Sequence, residues 1–317
     1  MTTQTSLKAA LNSGSGAARW RQFAWITAGA IALYVFFRFL PTGTNLNHMD
    51  FRVTGKNAIE MCDPANPQFI SVIAAASPVA LTLKTEVAPT VGREVRVTLR
   101  MTTANNKPIA PEDLVVMHTR KLHLLLADPS LTDYQHVHPE PTKVAGEWSF
   151  AFTPKLGGIY RVFADFTPAA TNRSLYSNVD LVVAGAPLSA PERAAAMAPS
   201  WTGLRDGYRF DLAPATSTVR AGQATDLKFT VTNTTGGAVG LEPVMDAYAH
   251  LVAFDTTRSG FAHLHPMDSD PAVAPDSLKP TLSFKITIPT AGRYVIWAQL
   301  KIDGREKFVP FWFDVAA

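Results

Sequence analysis

Apolar and polar residues alternate in many short segments between residue 76 and the end of the chain. Clear examples are GREVRVTLRM at residues 92–101, GQATDLKFTV at 222–231 and the final KFVPFWFDVAA at 307–317. A period of two is typical of a strand with one buried face. Clusters of Gly, Pro, Asn and Asp separate these segments, and no convincing amphipathic helix lies among them. The pattern predicts an all-β fold made of antiparallel β-sandwiches.

Two stretches of the chain repeat each other. LHLLLADPSLTDYQHVHP at residues 122–139 matches AHLVAFDTTRSGFAHLHP at residues 249–266, and the similarity continues into the strands that follow. The repeating unit is a little over a hundred residues long and occurs twice. The sequence therefore predicts a tandem pair of sandwiches rather than a long repeat array.

The N-terminal region has a different pattern. Residues 1–22 contain basic residues and no acidic one, and the following FAWITAGAIALYVFF, residues 23–37, carries no charge. With residues 38–40 this stretch approaches the ~20 residues that cross a bilayer, so we predict a transmembrane helix at residues 23–40. No small-residue cleavage site follows it, which favours a retained anchor over a cleaved signal. The basic side predicts a cytoplasmic N-terminus and a periplasmic remainder at a bacterial inner membrane.

These patterns divide the chain into six parts. In order they are a cytoplasmic tail (1–22), the transmembrane helix (23–40), a lead-in segment (41–75), a first sandwich (76–185), a linker (186–201) and a second sandwich (202–317). The linker is rich in Pro and Ala. The lead-in has no counterpart before the second unit, and the sequence assigns it no role.

Composition limits the class of protein. Hydrophobic residues make up 47% and charged residues 17%, which is too apolar for a disordered chain. The net charge of +3, with no run of basic residues, argues against a nucleic-acid partner. The single cysteine, Cys62, has no partner for an internal disulfide and lies in no redox, haem or zinc motif. We predict that it is a small buried apolar residue.

The histidines are concentrated in the repeated phrases. Four of the eight lie in YQHVHPE at residues 134–140 and FAHLHPM at 261–267, and in each copy a further histidine precedes the pair by thirteen residues. If the flanking segments form a hairpin, His123 lies across from His136, and His138 shares their face. The two copies then give triplet 1, which is His123, His136 and His138, and triplet 2, which is His250, His263 and His265.

Two interpretations of the triplets stay open. Three neutral imidazoles suit copper or zinc, and Met117, Met245 and Met267 are near enough in sequence to add a thioether for Cu(I). Alternatively, histidines on strands that are apolar on both faces lock the hairpin by donating to a carbonyl or to the turn residues Asp128 and Asp255. We favour the structural role. The two remaining histidines, His48 and His118, receive no role.

Enzymatic sites with a His-x-His pair fit this sequence poorly. A cupin site needs a glutamate a few residues beyond the pair, and Glu140 comes too soon. Copper–zinc superoxide dismutases have further histidines soon after the pair, and none occurs between His138 and His250. The sequence also lacks a nucleophile elbow, a phosphate-binding Gly-rich loop and H-E-x-x-H. We therefore expect no enzymatic activity, no catalytic residue and, unless the triplets bind copper, no cofactor.

The repeated motifs resemble a group of bacterial secreted or membrane-anchored immunoglobulin-like domains. These domains carry a His-Leu pair followed by an Asp, then His-x-His-Pro, and then a strand with a G-x-Y-x-x-x-x-x-F pattern. The resemblance covers roughly residues 80–170 and 205–315. It implies an all-β protein of two tandem immunoglobulin-like sandwiches behind one transmembrane helix. Some members of the group are associated with copper-handling periplasmic proteins.

Two functions follow as hypotheses. The first is a non-catalytic, membrane-anchored periplasmic accessory subunit that braces or docks onto a larger inner-membrane complex, respiratory or photosynthetic. It follows from the anchor at residues 23–40, the tandem sandwiches and the lack of a recognisable reaction centre. The alternative is a periplasmic copper-binding or copper-delivery protein that uses the two triplets.

Overall fold

The computed structural model describes residues 5–39, 46–51, 68–74, 76–267 and 270–317. The chain forms two compact units, Met1–Asn45 and Leu46–Ala317. The first unit contains helix α1, Thr5–Phe39. Cys62 and most of the predicted lead-in segment lie outside the described residues, so the predicted burial of Cys62 stays a prediction.

The prediction of a transmembrane helix at residues 23–40 is wrong. No helix in the described part of the chain combines the length and the hydropathy needed to cross a membrane. The uncharged run at residues 23–37 corresponds to only about 22 Å of helix, whereas the hydrocarbon core of a bilayer is ~30 Å thick. The predicted location of the protein stays a prediction.

The first sandwich consists of two mainly antiparallel sheets. Its strands are β1 Val79–Thr85, β2 Val95–Thr103, β3 Leu114–Val115, β4 Leu122–Ala127, β5 Tyr134–Val137, β6 Glu140–Pro141, β7 Glu147–Phe152, β8 Gly158–Pro168 and β9 Leu175–Val183. One sheet has the order β1-β2-β7-β6, and the other has the order β3-β8-β4-β5 with β9 also paired to β8. Short 3-10 helices at His48–Phe51 and Pro111–Asp113 accompany this unit.

The second sandwich repeats this plan. Its strands are β10 Thr202–Arg205, β11 Tyr208–Pro214, β12 Val219–Arg220, β13 Ala224–Asn233, β14 Leu241–Glu242, β15 His250–Asp255, β16 Phe261–Leu264, β17 Thr281–Thr287, β18 Gly292–Ile302 and β19 Arg305–Ala316. The sheets have the orders β10-β11-β13-β17 and β12-β19-β18-β15-β16, with β14 paired to β18. The predicted linker contains helix α2, Ala190–Ala196, which Ser189 and Glu192 cap reciprocally.

A third hydrophobic core joins the two sandwiches. Each sandwich has its own core, and a separate cluster contains residues of both, among them Leu125 and Phe163 from the first and Phe254 and Trp297 from the second. The indole Nε1 of Trp297 also donates to the carbonyl oxygen of Leu131 at 3.1 Å. The two sandwiches therefore pack face to face through the sheets that carry the histidine hairpins.

The same contact explains why strands β4 and β15 are buried on both faces. Leu124 and Leu126 of β4 face the core of the first sandwich, whereas Leu125 and Ala127 face the core between the sandwiches. Every residue of β4 is buried as a result. The continuous apolar sequence of these strands thus reflects two packed faces.

A tyrosine in each sandwich ties a strand to the preceding loop. The hydroxyl of Tyr160 contacts the carbonyl oxygen of Leu156 at 3.0 Å, and that of Tyr294 contacts the carbonyl oxygen of Thr290 at 3.1 Å. A tyrosine hydroxyl that binds backbone a few residues upstream is typical of immunoglobulin-like sandwiches. Tyr160 also donates to the buried carboxylate of Asp133 at 2.6 Å.

We expect Tyr160→Phe to destabilise the protein by about 1.5–3 kcal/mol, because the variant removes a donor from a buried carboxylate. Among the described residues, the hydroxyl of Tyr294 bonds to Thr290 alone, so the matched change Tyr294→Phe is expected to cost about 1 kcal/mol. Urea unfolding of both variants measures the difference. Equal losses would show that the bond to Asp133 contributes little.

Candidate metal centre

Two equivalent hairpins carry the triplets. Strand β4 pairs with β5 so that Leu125 lies opposite His136, and β15 pairs with β16 so that Val252 lies opposite His263. The predicted pairing of His123 with His136 is therefore wrong by two residues. Asp128 holds the loop between β4 and β5 by accepting from the backbone N–H groups of Ser130 and Asp133. A shift of two residues preserves the face, so each triplet still lies on one side of its hairpin.

The ring nitrogens of each triplet converge. In triplet 1, one nitrogen from each of the three rings lies within 4.8 Å of the others, and the same is true of triplet 2. Within triplet 1, Nδ1 of His123 lies 3.2 Å from Nε2 of His136. The structure therefore brings together the three predicted histidines of each copy.

In the first histidine of each triplet, the ring nitrogen that points away from the other two rings binds a backbone carbonyl oxygen. Nε2 of His123 lies 3.1 Å from the carbonyl oxygen of Met117, and Nε2 of His250 lies 2.9 Å from that of Val244. Because a carbonyl oxygen only accepts, both Nε2 atoms carry the proton. In a neutral ring the Nδ1 atom then bears a lone pair, and this atom faces the other histidines of the triplet.

Side chains of the opposite sandwich hold the second histidine of each triplet. Nδ1 of His136 lies 2.8 Å from Oε1 of Gln299, and the orientation of this amide is fixed because its Nε2 donates to Glu306. Nδ1 of His263 lies 3.2 Å from Oδ2 of Asp165. Both oxygens accept, so both Nδ1 atoms carry the proton and both Nε2 atoms bear inward lone pairs.

Several of the inward nitrogens are buried without a hydrogen-bond partner in the described residues. They are Nε2 of His138, Nδ1 of His250, Nε2 of His263 and Nε2 of His265. Buried polar atoms are almost always paired, and an unpaired one costs about 1–3 kcal/mol. A cation bound by the unprotonated form of these nitrogens would remove that cost.

The two triplets lie beside each other between the sandwiches. The rings of His136 and His263 have centroids 5.6 Å apart, and those of His123 and His263 are 6.0 Å apart. The sequence assigned one triplet to each sandwich. The structure places both triplets in one cluster.

The cluster includes a seventh histidine that the sequence interpretation left without a role. The ring of His118 stacks on that of His265 with centroids 3.8 Å apart and planes 21° apart. His118 lies in a tight turn bridged by Met117 and Arg120, in the left-handed region at φ 47°. The equivalent turn of the second copy has Met245 at this position, so the repeat gives no signal that would have identified His118.

Burial keeps the rings uncharged at neutral pH. Burial is the largest cause of a lowered pKa in every histidine of both triplets and in His118, and the neighbouring rings lower most of these values further. The pKa is about 3 for His138 and about 4 for His250. Neutral imidazole is the form that binds metals.

Other residues named from the sequence take different positions. Asp128 and Asp255 bind backbone N–H groups of their own loops rather than the histidines proposed as their partners. Met117 contacts triplet 1 through its carbonyl oxygen, and its side chain is exposed, as is that of Met267. Hydrogen bonds therefore hold four of the seven rings, as the structural interpretation proposed, but their acceptors are not Asp128 or Asp255.

The sheets, the separate cores and the tyrosine contacts define the chain as a tandem immunoglobulin-like β-sandwich protein. It belongs to the DUF8832 family, a domain of unknown function, which matches residues 74–181 and 202–317. The narrower bacterial group suggested by the His-x-His-Pro motif stays a prediction. No protein with a curated description matches the sequence.

Three solved structures are similar to this chain, and each alignment covers 75% of it. The fibronectin(III)-like modules of Clostridium thermocellum CbhA are 11% identical, with 94% of that chain covered and a TM-score of 0.20. Escherichia coli alpha-2-macroglobulin is 13% identical, with 17% covered and a TM-score of 0.22. A DUF4785 family protein from Legionella pneumophila is 12% identical, with 55% covered and a TM-score of 0.24. Scores this low carry no inference about function.

Proposed function

We propose that this protein binds copper ions through the two histidine triplets. One observation carries the proposal: the outer nitrogens of His123, His136, His250 and His263 are committed to oxygen acceptors, which turns an unprotonated nitrogen of each ring inward. A purely structural hairpin lock explains the outer contacts. It does not explain why buried lone pairs converge within 4.8 Å in both copies.

The ligand set favours Cu(I) over a dication. Three imidazoles bring no negative charge, so an ion in this cluster keeps nearly all of its own charge in a buried environment. The cost of burying charge rises steeply with its magnitude, which favours a monovalent ion. Imidazole suits both copper and zinc, but zinc bound by three imidazoles takes a fourth ligand such as water, which the triplets do not themselves supply.

A Cu(I) titration of the metal-free chain tests the proposal. Under anaerobic conditions, against a chromogenic chelator, we expect two ions per chain. His263→Ala combined with His265→Ala is expected to bind one ion, and so is His136→Ala combined with His138→Ala, because each pair removes two of three ligands. The exposed His48 provides the matched control, and His48→Ala is expected to keep both ions. Unchanged copper content in both double variants would contradict the proposal.

The accessory-subunit hypothesis stays a prediction, but without the anchor at residues 23–40, which was one of its grounds. It implies that the protein belongs to a larger assembly. The face-to-face packing of the two sandwiches, which lies within one chain, neither supports nor opposes this implication. The native mass of the protein, extracted gently from its own organism, tests it. A particle of a single 34.3 kDa chain would contradict it.

A further inference from the structure

We infer that the two triplets form one dinuclear copper centre with unequal halves, and that triplet 2 fills first. This inference rests on the proposed function. It adds that the two bound ions interact electrostatically. It also adds that Asp165, a positioning residue that accepts a hydrogen bond from His263, determines which triplet binds first.

Each half of the centre is oriented by the opposite sandwich. His136 of the first sandwich donates to Gln299 of the second, and His263 of the second donates to Asp165 of the first. The two acceptors occupy equivalent positions in the repeat, since Asp165 is opposite His123 in the β8–β4 pairing and Gln299 is opposite His250 in the β18–β15 pairing. The duplicated fold therefore differs at one decisive contact, a carboxylate in one copy and an amide in the other.

This difference makes triplet 2 the stronger site. A carboxylate that accepts the outer N–H of a ligating imidazole increases the basicity of the inner nitrogen, and a neutral amide does so less. Loss of such a partner typically costs about 10- to 100-fold in metal affinity. The charge of Asp165 also acts on His123, but its hydrogen bond goes to His263.

A positive charge disfavours an ion in triplet 1. Arg120 acts electrostatically against positive charge on both His123 and His138. Its guanidinium forms an ion pair with Glu140 at 3.2 Å, in which both side chains are largely exposed, so the pairing compensates this charge only partly. Arg120 therefore adds to the advantage that the carboxylate acceptor gives triplet 2, but the charge of Asp165 offsets its effect at His123.

The distances between the halves require coupling. A ring of triplet 1 lies 5.6 Å from a ring of triplet 2, centroid to centroid. Two buried cations held by such closely packed ligands repel each other, because little solvent screens them. The first ion therefore weakens the binding of the second, beyond the difference that the acceptors create.

The affinity test compares three proteins in the anaerobic Cu(I) titration. The wild-type chain is expected to bind in two steps separated by at least about tenfold. Asp165→Asn is expected to weaken the first step by about 10- to 100-fold and to keep two ions. Gln299→Glu combined with Glu306→Gln, which keeps a donor beside the new carboxylate, is the matched change in the other copy and is expected to strengthen the second step. Two equal steps in the wild type, or no effect of Asp165→Asn on the first step, would overturn the order.

Electron paramagnetic resonance tests the coupling after Cu(I) has been loaded anaerobically and oxidised in place to Cu(II) with ferricyanide. One equivalent is expected to give an isolated Cu(II) signal, and the second is expected to broaden or remove it. Two equivalents that give twice the isolated signal would overturn the dinuclear centre but leave the proposed function intact. If the chain binds no copper in either experiment, the proposed function itself fails.

Discussion

Lowering the pH from 7 to 5 is expected to remove at least about 4 kcal/mol from the free energy of unfolding of the metal-free protein. The reason is that the buried histidines stay neutral in the folded chain, whereas the unfolded chain protonates them below its ordinary pKa of ~6.5. His138 and His250, with pKa values of about 3 and about 4, each contribute a loss of about 2 kcal/mol over this interval. His136, His263 and His265 act in the same direction.

The sign of this effect follows from proton counts. Between pH 6.5 and about 4 the unfolded state binds more protons than the folded state, so stability falls as the pH falls. Above about pH 7.5 these histidines are neutral in both states and contribute almost no slope. For a protein whose total stability is typically about 5–15 kcal/mol, the loss is large.

Thermal unfolding of the metal-stripped chain at pH 8, 7, 6 and 5 measures the effect. We expect a flat region above about pH 7.5 and a steep decrease below pH 6. His138→Gln provides the control, because glutamine does not titrate, and its pH slope is expected to be shallower. Equal melting temperatures at pH 7 and pH 5 would show that the rings protonate in the folded chain.

Truncation of Phe254 is expected to destabilise the protein by about 3–5 kcal/mol and to weaken copper binding at both triplets. Phe254 is fully buried between the sandwiches, where its ring centroid lies 5.4 Å from that of Tyr134 and 6.0 Å from that of Phe163. Phe254→Ala removes this packing and leaves a cavity. Because the contacts of His136 with Gln299 and of His263 with Asp165 cross the same interface, looser packing misaligns the ligands of both triplets.

A matched truncation inside one sandwich separates stability from binding. Phe210 is equally buried, but it lies in the core of the second sandwich, with its ring 6.4 Å from that of Phe229. Phe210→Ala is expected to cost a similar free energy of unfolding and to leave the copper affinity nearly unchanged. Urea unfolding and Cu(I) competition on both variants distinguish the two effects. Equal affinities for both variants and the wild type would mean that the interface does not align the ligands.

Much of the fold could be predicted from local sequence. Alternation in segments such as residues 92–101 marked strands, and the repeat marked the tandem pair. The N-terminal prediction failed because a fifteen-residue apolar run is close to the limit for a membrane helix. The strand register was wrong by two residues because the length of a loop depends on side-chain contacts such as those of Asp128, which spacing alone does not reveal.

The sequence by itself determined the strands, the duplication and the placement of three histidines on one face of each hairpin, because alternation and short spacings are local properties of a chain. Only the tertiary structure decided that the two hairpins face each other, that His118 joins them, and that Gln299 and Asp165 orient the rings. The bonds from His136 to Gln299 and from His263 to Asp165 span 163 and 98 positions of sequence, respectively. Such contacts depend on which sheet faces pack together, and no local pattern records that choice.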